Sequence, residues 1–189
     1  EYTTDYKKTH SQTLLPMLDE LRRMVDLDLK SIDLIAVAAG PGSFTGLRIG
    51  SATAKGLGLA LDIPLAAVPT VDALAYNLYG CEQLICPMMD ARRGQVYTGI
   101  YTFVNGEMQV IQEQCAISVE ELAGRLKEEC KKYGKKVVLL GDGVPVYREK
   151  VQEILQGQCE FAPASCNRQR AVCCCLRTKL GGSRKNGKL

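Results

Sequence analysis

The 189-residue chain has a single histidine, His10, and that scarcity narrows its chemistry before any motif is considered. A Ser-His-Asp or Cys-His nucleophilic set could be built only around His10. That residue stands in a polar link ahead of an apolar stripe, where a surface position is expected. No apolar run approaches the length of a membrane span, and the opening "EYTTDYKKTH" does not resemble a signal peptide. A soluble cytoplasmic protein with no membrane partner is therefore expected. Nine cysteines are present, yet none forms a CxxC pair. Cys173, Cys174 and Cys175 are consecutive, and adjacent side chains do not easily converge on one tetrahedral ion. The expectation is reduced thiols and no metal.

Acidic residues are missing altogether after Glu160, where seven basic residues follow. Residues 1–160 carry 17 basic and 21 acidic side chains, so a mildly acidic body ends in a basic tail. Such a tail could touch nucleic acid or remain a solvated end. No internal repeat or low-complexity linker is present.

What is there reads as alternating helices and strands. "EYTTDY" resembles the end of a strand. An amphipathic helix is expected from about Thr13, with Leu14, Leu18, Leu21 and Val25 at helical spacing. Thr13 as N-cap would place Pro16 in the first turn, where its missing N–H has no intrahelical partner. "SIDLIAVAAG" and "IPLAAVP" read as buried parallel strands. Between them lie the turn Gly40-Pro41-Gly42, Ser43 as candidate N-cap, and a helix dense in glycine. "TVDALAYNLYG" predicts a further helix capped by Thr70. From Gly80 onward the pattern turns to a β-meander, with turns at Arg92-Arg93-Gly94 and Asn105-Gly106. A helix opened by the capping box Ser118-Val119-Glu120-Glu121 follows, then a strand running into Gly141-Asp142-Gly143.

The glycine helix is the most informative segment. "GPGSFTGLRIG" lacks the lysine and spacing of a P-loop, and Gly46 falls one position late for a dinucleotide fingerprint. Helix N-terminal amides at Gly40, Gly42 and Ser43 could still hold an anion, so weak binding of ATP or ADP is the nucleotide expectation, with no tightly bound cofactor. Gly46, Gly50, Ala54 and Gly58 recur every four residues. Mid-helix glycines each cost roughly 1 kcal/mol against alanine, a deficit normally offset by contact that only bare backbone permits. The ridge could receive the Leu14/Leu18/Leu21 helix or a second subunit; spacing leaves both open. Asp90 with Arg92 and Arg93, and Asp142 between glycines, read as turn residues.

With these residues in view, the chain resembles the TsaB (YeaZ) family, a bacterial branch of the actin/Hsp70/sugar-kinase-like superfamily. The resemblance rests on "HSQTLLPMLDEL", "AVAAGPGSFTGLRIGSATAKGLGLALDIPLAAVPTVDALA", "MMDARRGQVYTGIY" and "LLGDG", and covers about residues 1–170. It implies an α/β, two-lobed actin-like (RNase H-like) fold, with lobes over 1–79 and 80–166 and an atypical basic tail over 167–189, expected to be disordered. It also implies a non-catalytic partner subunit for making threonylcarbamoyladenosine in tRNA. The implied partners are the catalytic paralogue TsaD, a TsaE-type ATPase, a second copy when isolated, and tRNA indirectly. TsaD holds a metal partly through a histidine pair at four-residue spacing; the matching positions here are Thr70 and Leu74, and leucine cannot ligate. The resemblance places the dimer seam at Leu14, Leu18, Leu21, Gly46, Gly50, Ala54 and Gly58. Alternative readings are a nucleotide-dependent ATPase or kinase, and a metallopeptidase-like hydrolase. Two departures from the family pattern are expected to matter. The first β-hairpin with its phosphate-facing Asp is absent, and "AVCCCLRTKLGGSRKNGKL" replaces an Ala/Leu-rich helix and final strand, as a shifted reading frame would.

Overall fold

The computed structural model describes residues 10–167; the "EYTTDY" strand, the cysteine triplet and the basic tail lie outside the described residues. The chain divides into two compact units, Glu1–Pro69 and Thr70–Leu189. The division falls at Pro69/Thr70 rather than at the expected Tyr79/Gly80, because the short helix after Pro69 packs on the second sheet.

The first unit is a single βαβ crossover with one added helix. Helix α1 (His10–Met24) is followed by strand β1 (Ile35–Gly40), helix α2 (Phe44–Leu61) and strand β2 (Leu65–Pro69). β1 and β2 pair in parallel, Ile35 opposite Leu65 and Val37 opposite Ala67. The continuous apolar runs seen in sequence are these two strands. Ser43 caps α2 as expected, its Oγ accepting from the Gly46 N–H at 3.3 Å. The helix ends where Asp62 takes φ 55° and the Ile63 N–H donates to the Gly58 carbonyl at 2.9 Å. α1 departs from expectation. It starts at His10, so Pro16 lies in the second turn and the Gln12 carbonyl loses its helical donor. Thr13 is therefore inside the helix, not its cap.

The second unit is built on a five-stranded mixed sheet in the order β5-β4-β3-β6-β7. Its elements are α3 (Thr70–Ala75), β3 (Leu84–Arg92), β4 (Gln95–Val104), β5 (Glu107–Ser118), α4 (Val119–Tyr133), β6 (Val137–Leu140), α5 (Val144–Leu155) and β7 (Cys159–Phe161). The expected meander is β3-β4-β5, antiparallel throughout. β6 then pairs parallel to β3, and β7 parallel to β6. Side chains alternate across the sheet, so Leu84, Cys86 and Met88 face one way and pack with Leu122, Leu126 and Leu155 of α4 and α5. On the opposite face Tyr101 and Phe103 meet α3 and its extension: Phe103 sits edge-on to Tyr76, and the Tyr101 hydroxyl donates to Asp72 at 2.8 Å.

Local chemistry explains most of these boundaries. Asn105 and Gly106 take φ 53° and 81°, the pair a tight hairpin favours. Ser118 caps α4, accepting from the Glu121 N–H at 3.1 Å. The capping box is only half formed, because the Glu121 carboxylate turns instead to Arg125. Thr70 does not cap α3. It is the first helical residue, 2% exposed, and its Oγ1 has no hydrogen-bond partner. Burial against the second sheet, not capping, places it.

Two glycines of this unit separate the uses of a missing side chain. Gly124 is exposed mid-helix in α4 with open space where a Cβ would stand, so Gly124→Ala should stabilise the protein by about 1 kcal/mol. Gly141 has φ 108°, and a Cβ there would run into the Met88 carbonyl oxygen and the Leu74 side chain. Gly141→Ala should therefore destabilise by more than about 2 kcal/mol. Urea unfolding of both variants measures the contrast.

Candidate functional site

Two places gather the residues singled out by sequence: the outer surface of α1 and α2 in the first unit, and the turns at the ends of β3 and β6 in the second.

In the first unit, the turn after β1 is as expected. Gly40 takes φ 100°, a conformation that suits glycine, and the Leu47 side chain stands 3.2 Å from where its Cβ would be. Gly42 and Ser43 are exposed, and the Ser43 hydroxyl already accepts the Gly46 N–H.

The glycine ridge is not one continuous groove. Ala54, 6% exposed, and Gly58 are buried by the chain itself. A Cβ at Gly58 would lie 2.9 Å from the Ile63 carbonyl oxygen and 3.1 Å from Leu65 Cδ2. Gly58 is bare so that the chain can reverse into β2. Ala54 and Gly58 thus pack within their own unit. Gly46 and Gly50 are half-buried; a Cβ at Gly46 would meet only the Ser43 side chain, and at Gly50 nothing within 4 Å. On α1, Leu14 and Leu21 are half-buried and Leu18 is exposed.

The face that α2 turns to solvent was not singled out by sequence. Phe44 and Leu59, 72% and 88% exposed, lie about 60° apart on the helix, with Arg48 and Lys55 between them. The Arg48 guanidinium stacks 4.8 Å over the Phe44 ring. This strip lies about a third of a turn around the helix from the glycine ridge. A helical wheel would have found it, had large apolar residues been weighed beside the glycines.

In the second unit, β3 and β6 run parallel from Leu84 and Val137, and the turn after β6 lies against the later part of β3. The Gly143 N–H donates to the Met88 carbonyl at 2.9 Å, and Asp142 Oδ1 accepts from the Asp90 N–H at 3.2 Å. Asp90 Oδ1 in turn accepts from the Arg92 N–H at 2.9 Å and the Tyr147 hydroxyl at 3.1 Å. The Tyr147 hydroxyl is held above its ordinary pKa by desolvation and by this carboxylate. Asp90 and Asp142 are thus turn residues, as expected. Arg92 and Arg93 take φ 69° and 54°, a conformation that costs a residue with a Cβ about 1–2 kcal/mol.

Ligating groups do not converge: among the described residues no three of His, Cys, Asp and Glu are placed to hold a metal ion. Thr70 and Leu74 are both buried in α3. The side chain of His10 lies outside the described residues. Cys86 is fully buried; burial pushes its thiol up to about 12, although the Thr98 hydroxyl 3.3 Å away partly opposes this. It holds no thiolate at neutral pH and is no nucleophile.

The family model described as TsaD, tRNA N6-adenosine threonylcarbamoyltransferase, matches residues 4–188. The Bacillus subtilis "tRNA threonylcarbamoyladenosine biosynthesis protein TsaB" is 38% identical over 155 residues, 82% of this chain and 66% of that protein. Its Escherichia coli namesake is 35% identical over 97 residues, 50% of this chain and 42% of that one. The chain therefore spans two thirds or less of the length of these relatives. Among solved structures, a Pseudomonas aeruginosa protein described as similar to peptidase YEAZ superposes with TM-score 0.74 at 25% identity, over 97% of this chain and 82% of that chain. "YeaZ from Pseudomonas aeruginosa" gives TM-score 0.70 at 26% identity, over 93% and 79%.

The buried thiol gives a direct check on this site's chemistry. Iodoacetamide at pH 8 should leave Cys86 unlabelled in the native protein and label it after unfolding, as read by peptide mass spectrometry.

Proposed function

This chain belongs to the TsaB (YeaZ) family and has its actin-like fold, and from that membership we propose that it is a non-catalytic subunit in the formation of threonylcarbamoyladenosine in tRNA. In this reading it binds and activates a TsaD-type catalytic paralogue, works in the cytoplasm, and pairs with a second copy when that paralogue is absent. No helix among the described residues is long and apolar enough to cross a membrane.

The observation that carries the reading is the imbalance of apolar surface in the first unit. Of the described large hydrophobics that are exposed, eight lie there: Leu15, Leu18, Met24, Val25, Leu27, Leu29, Phe44 and Leu59. Among the described hydrophobic residues of the same unit only Ala54 and Val68 are buried. Exposed apolar side chains concentrated in one small unit are the kind of surface that a contact with another polypeptide covers. We place the seam on the outward strip of α2 from Phe44 to Leu59, with Leu14, Leu18 and Leu21 of α1 beside it, and Gly46 and Gly50, about a third to half a turn away, as a separate bare-backbone approach. Gly50 and Gly56, where a Cβ would meet nothing, allow a neighbouring helix to approach bare backbone. A TsaE-type ATPase and tRNA join this reading as further members of the assembly.

Nucleotide has a lesser place. The turn at Gly40, Gly42 and Ser43 presents helix N-terminal amides, but its one hydroxyl is used for capping. ATP or ADP is at most a weak ligand, and turnover belongs to the partner.

Leu59→Glu sets a charge at the C-terminal end of the strip, and Gly50→Leu fills the separate bare-backbone approach. Each should weaken association with the TsaD-type subunit by roughly a hundredfold or more, a loss typical of interface anchors. Because neither position packs inside its own unit, unfolding free energies should stay within about 0.5 kcal/mol of the parent. Calorimetric titration with the partner and urea unfolding make the test. Unchanged association in both variants rejects the seam.

A further inference from the structure

The turn joining β3 to β4 holds Arg92, Arg93 and Gly94 at φ 69°, 54° and 73°. The other tight hairpin of the same sheet uses Asn105 and Gly106, residues that enter the left-handed region most readily. Two consecutive arginines are the opposite choice. Strain of this kind persists where the surroundings over-determine it and a side chain has to be presented.

The surroundings here do over-determine it. The Asp90 carboxylate holds the Arg92 N–H at 2.9 Å and is itself held by the Tyr147 hydroxyl of α5 at 3.1 Å. Asp142 Oδ1 fixes the Asp90 N–H at 3.2 Å. On the other side of the turn, the Val119 N–H donates to the Gly94 carbonyl at 3.1 Å. Nearby carboxylates are engaged: Glu120 with Lys150, Glu121 with Arg125, and Asp90 with Arg92 at 3.7 Å. The Arg92 side chain is nevertheless 87% exposed. Arg93 is exposed and has no ion-pair partner among the described residues.

We propose that Arg92 and Arg93 form a phosphate-gripping tip that contacts the backbone of an RNA partner directly. The proposal rests on the placement of this chain in a tRNA-modifying assembly. One bidentate guanidinium satisfies a carboxylate of a protein partner. Two adjacent guanidiniums, one of them still shared with Asp90, suit a ligand whose negative charge repeats, and a nucleic-acid backbone supplies that repeat. Such contacts fix register and orientation and read no base.

The test is the double variant Arg92→Asn/Arg93→Gly, which removes both charges and also gives the turn residues that suit it. A fluorescently labelled tRNA transcript is titrated with the full chain, alone and bound to its TsaD-type partner, from 50 to 200 mM salt. The expected result is affinity at least tenfold weaker, with the slope of log affinity against log salt shallower by about 1–2, the change expected for one or two lost phosphate contacts. Tm should be equal or higher, and association with the partner unchanged. Arg92→Lys/Arg93→Lys should keep most of the salt dependence. The proposal is overturned if the Asn/Gly variant binds tRNA as the parent does, or if the parent binds none in either state. It is also overturned if tRNA binding falls together with Tm or partner association, or if poly-glutamate binding rather than tRNA binding depends on the two arginines. Failure of the seam itself would show separately, as absent association of the parent chain with RNA omitted.

Discussion

A two-stranded parallel sheet cannot cover the apolar sides of the helices that its own crossover brings. Parallel strands are ordinarily sheltered on both faces, and a sheet of two strands has too little area to hold a core alone. β1 and β2 are such a pair, and α1 and α2 leave five large apolar side chains, Leu15, Leu18, Met24, Phe44 and Leu59, exposed. Burying a side chain the size of Leu59 or Phe44 against a partner is worth roughly 1.5–3 kcal/mol. Association is opposed by about 4–15 kcal/mol of lost freedom, so a few such residues together decide whether a complex forms. This shortage of cover supports the proposed contact with another polypeptide independently of any chemistry.

The second unit has the opposite balance. All but two of the buried hydrophobic residues belong to it, and its polar turn groups answer one another. Asp142 serves the Asp90 backbone, Asp90 serves Arg92 and Tyr147, and the Tyr101 hydroxyl serves Asp72. Carboxylates committed to fixing turns make poor general bases, and a thiol as deep as Cys86 makes a poor nucleophile. These engagements support the non-catalytic reading on the chemistry of the groups that are present.

How much was legible in the sequence follows from how local each cause is. Ser43 and Ser118 as caps, Asn105-Gly106 as a hairpin, and the two continuous apolar strands depend on a few neighbouring residues, and they stand where expected. Thr70 as a cap failed. α3 is held by Asp72 against Tyr101, a contact 29 residues distant that no local pattern encodes. The glycine ridge is more instructive. Four-residue spacing correctly identifies one side of a helix, but which side faces inward is decided by where β2 returns. Gly58 answers to Ile63 and Leu65, whereas Gly50 answers to nothing in its own chain.

The two units therefore divide what a scaffold protein needs. Backbone strain persists where surrounding contacts over-determine it, and the two consecutive left-handed arginines stand in the unit that holds nearly all of the described buried hydrophobic residues. β3 is paired with β4 up to Arg92, and the Asp90 and Asp142 carboxylates and the Gly143 N–H tie its end to the turn after β6, so the turn can hold two arginines in the left-handed region without loosening the sheet. The same residues placed between β1 and β2 would draw on a unit in which only two of the described hydrophobic residues are buried. The proposed partner surface and a tip that stays rigid in solvent would make incompatible demands on one small core. Separate units let each demand be met in the same chain.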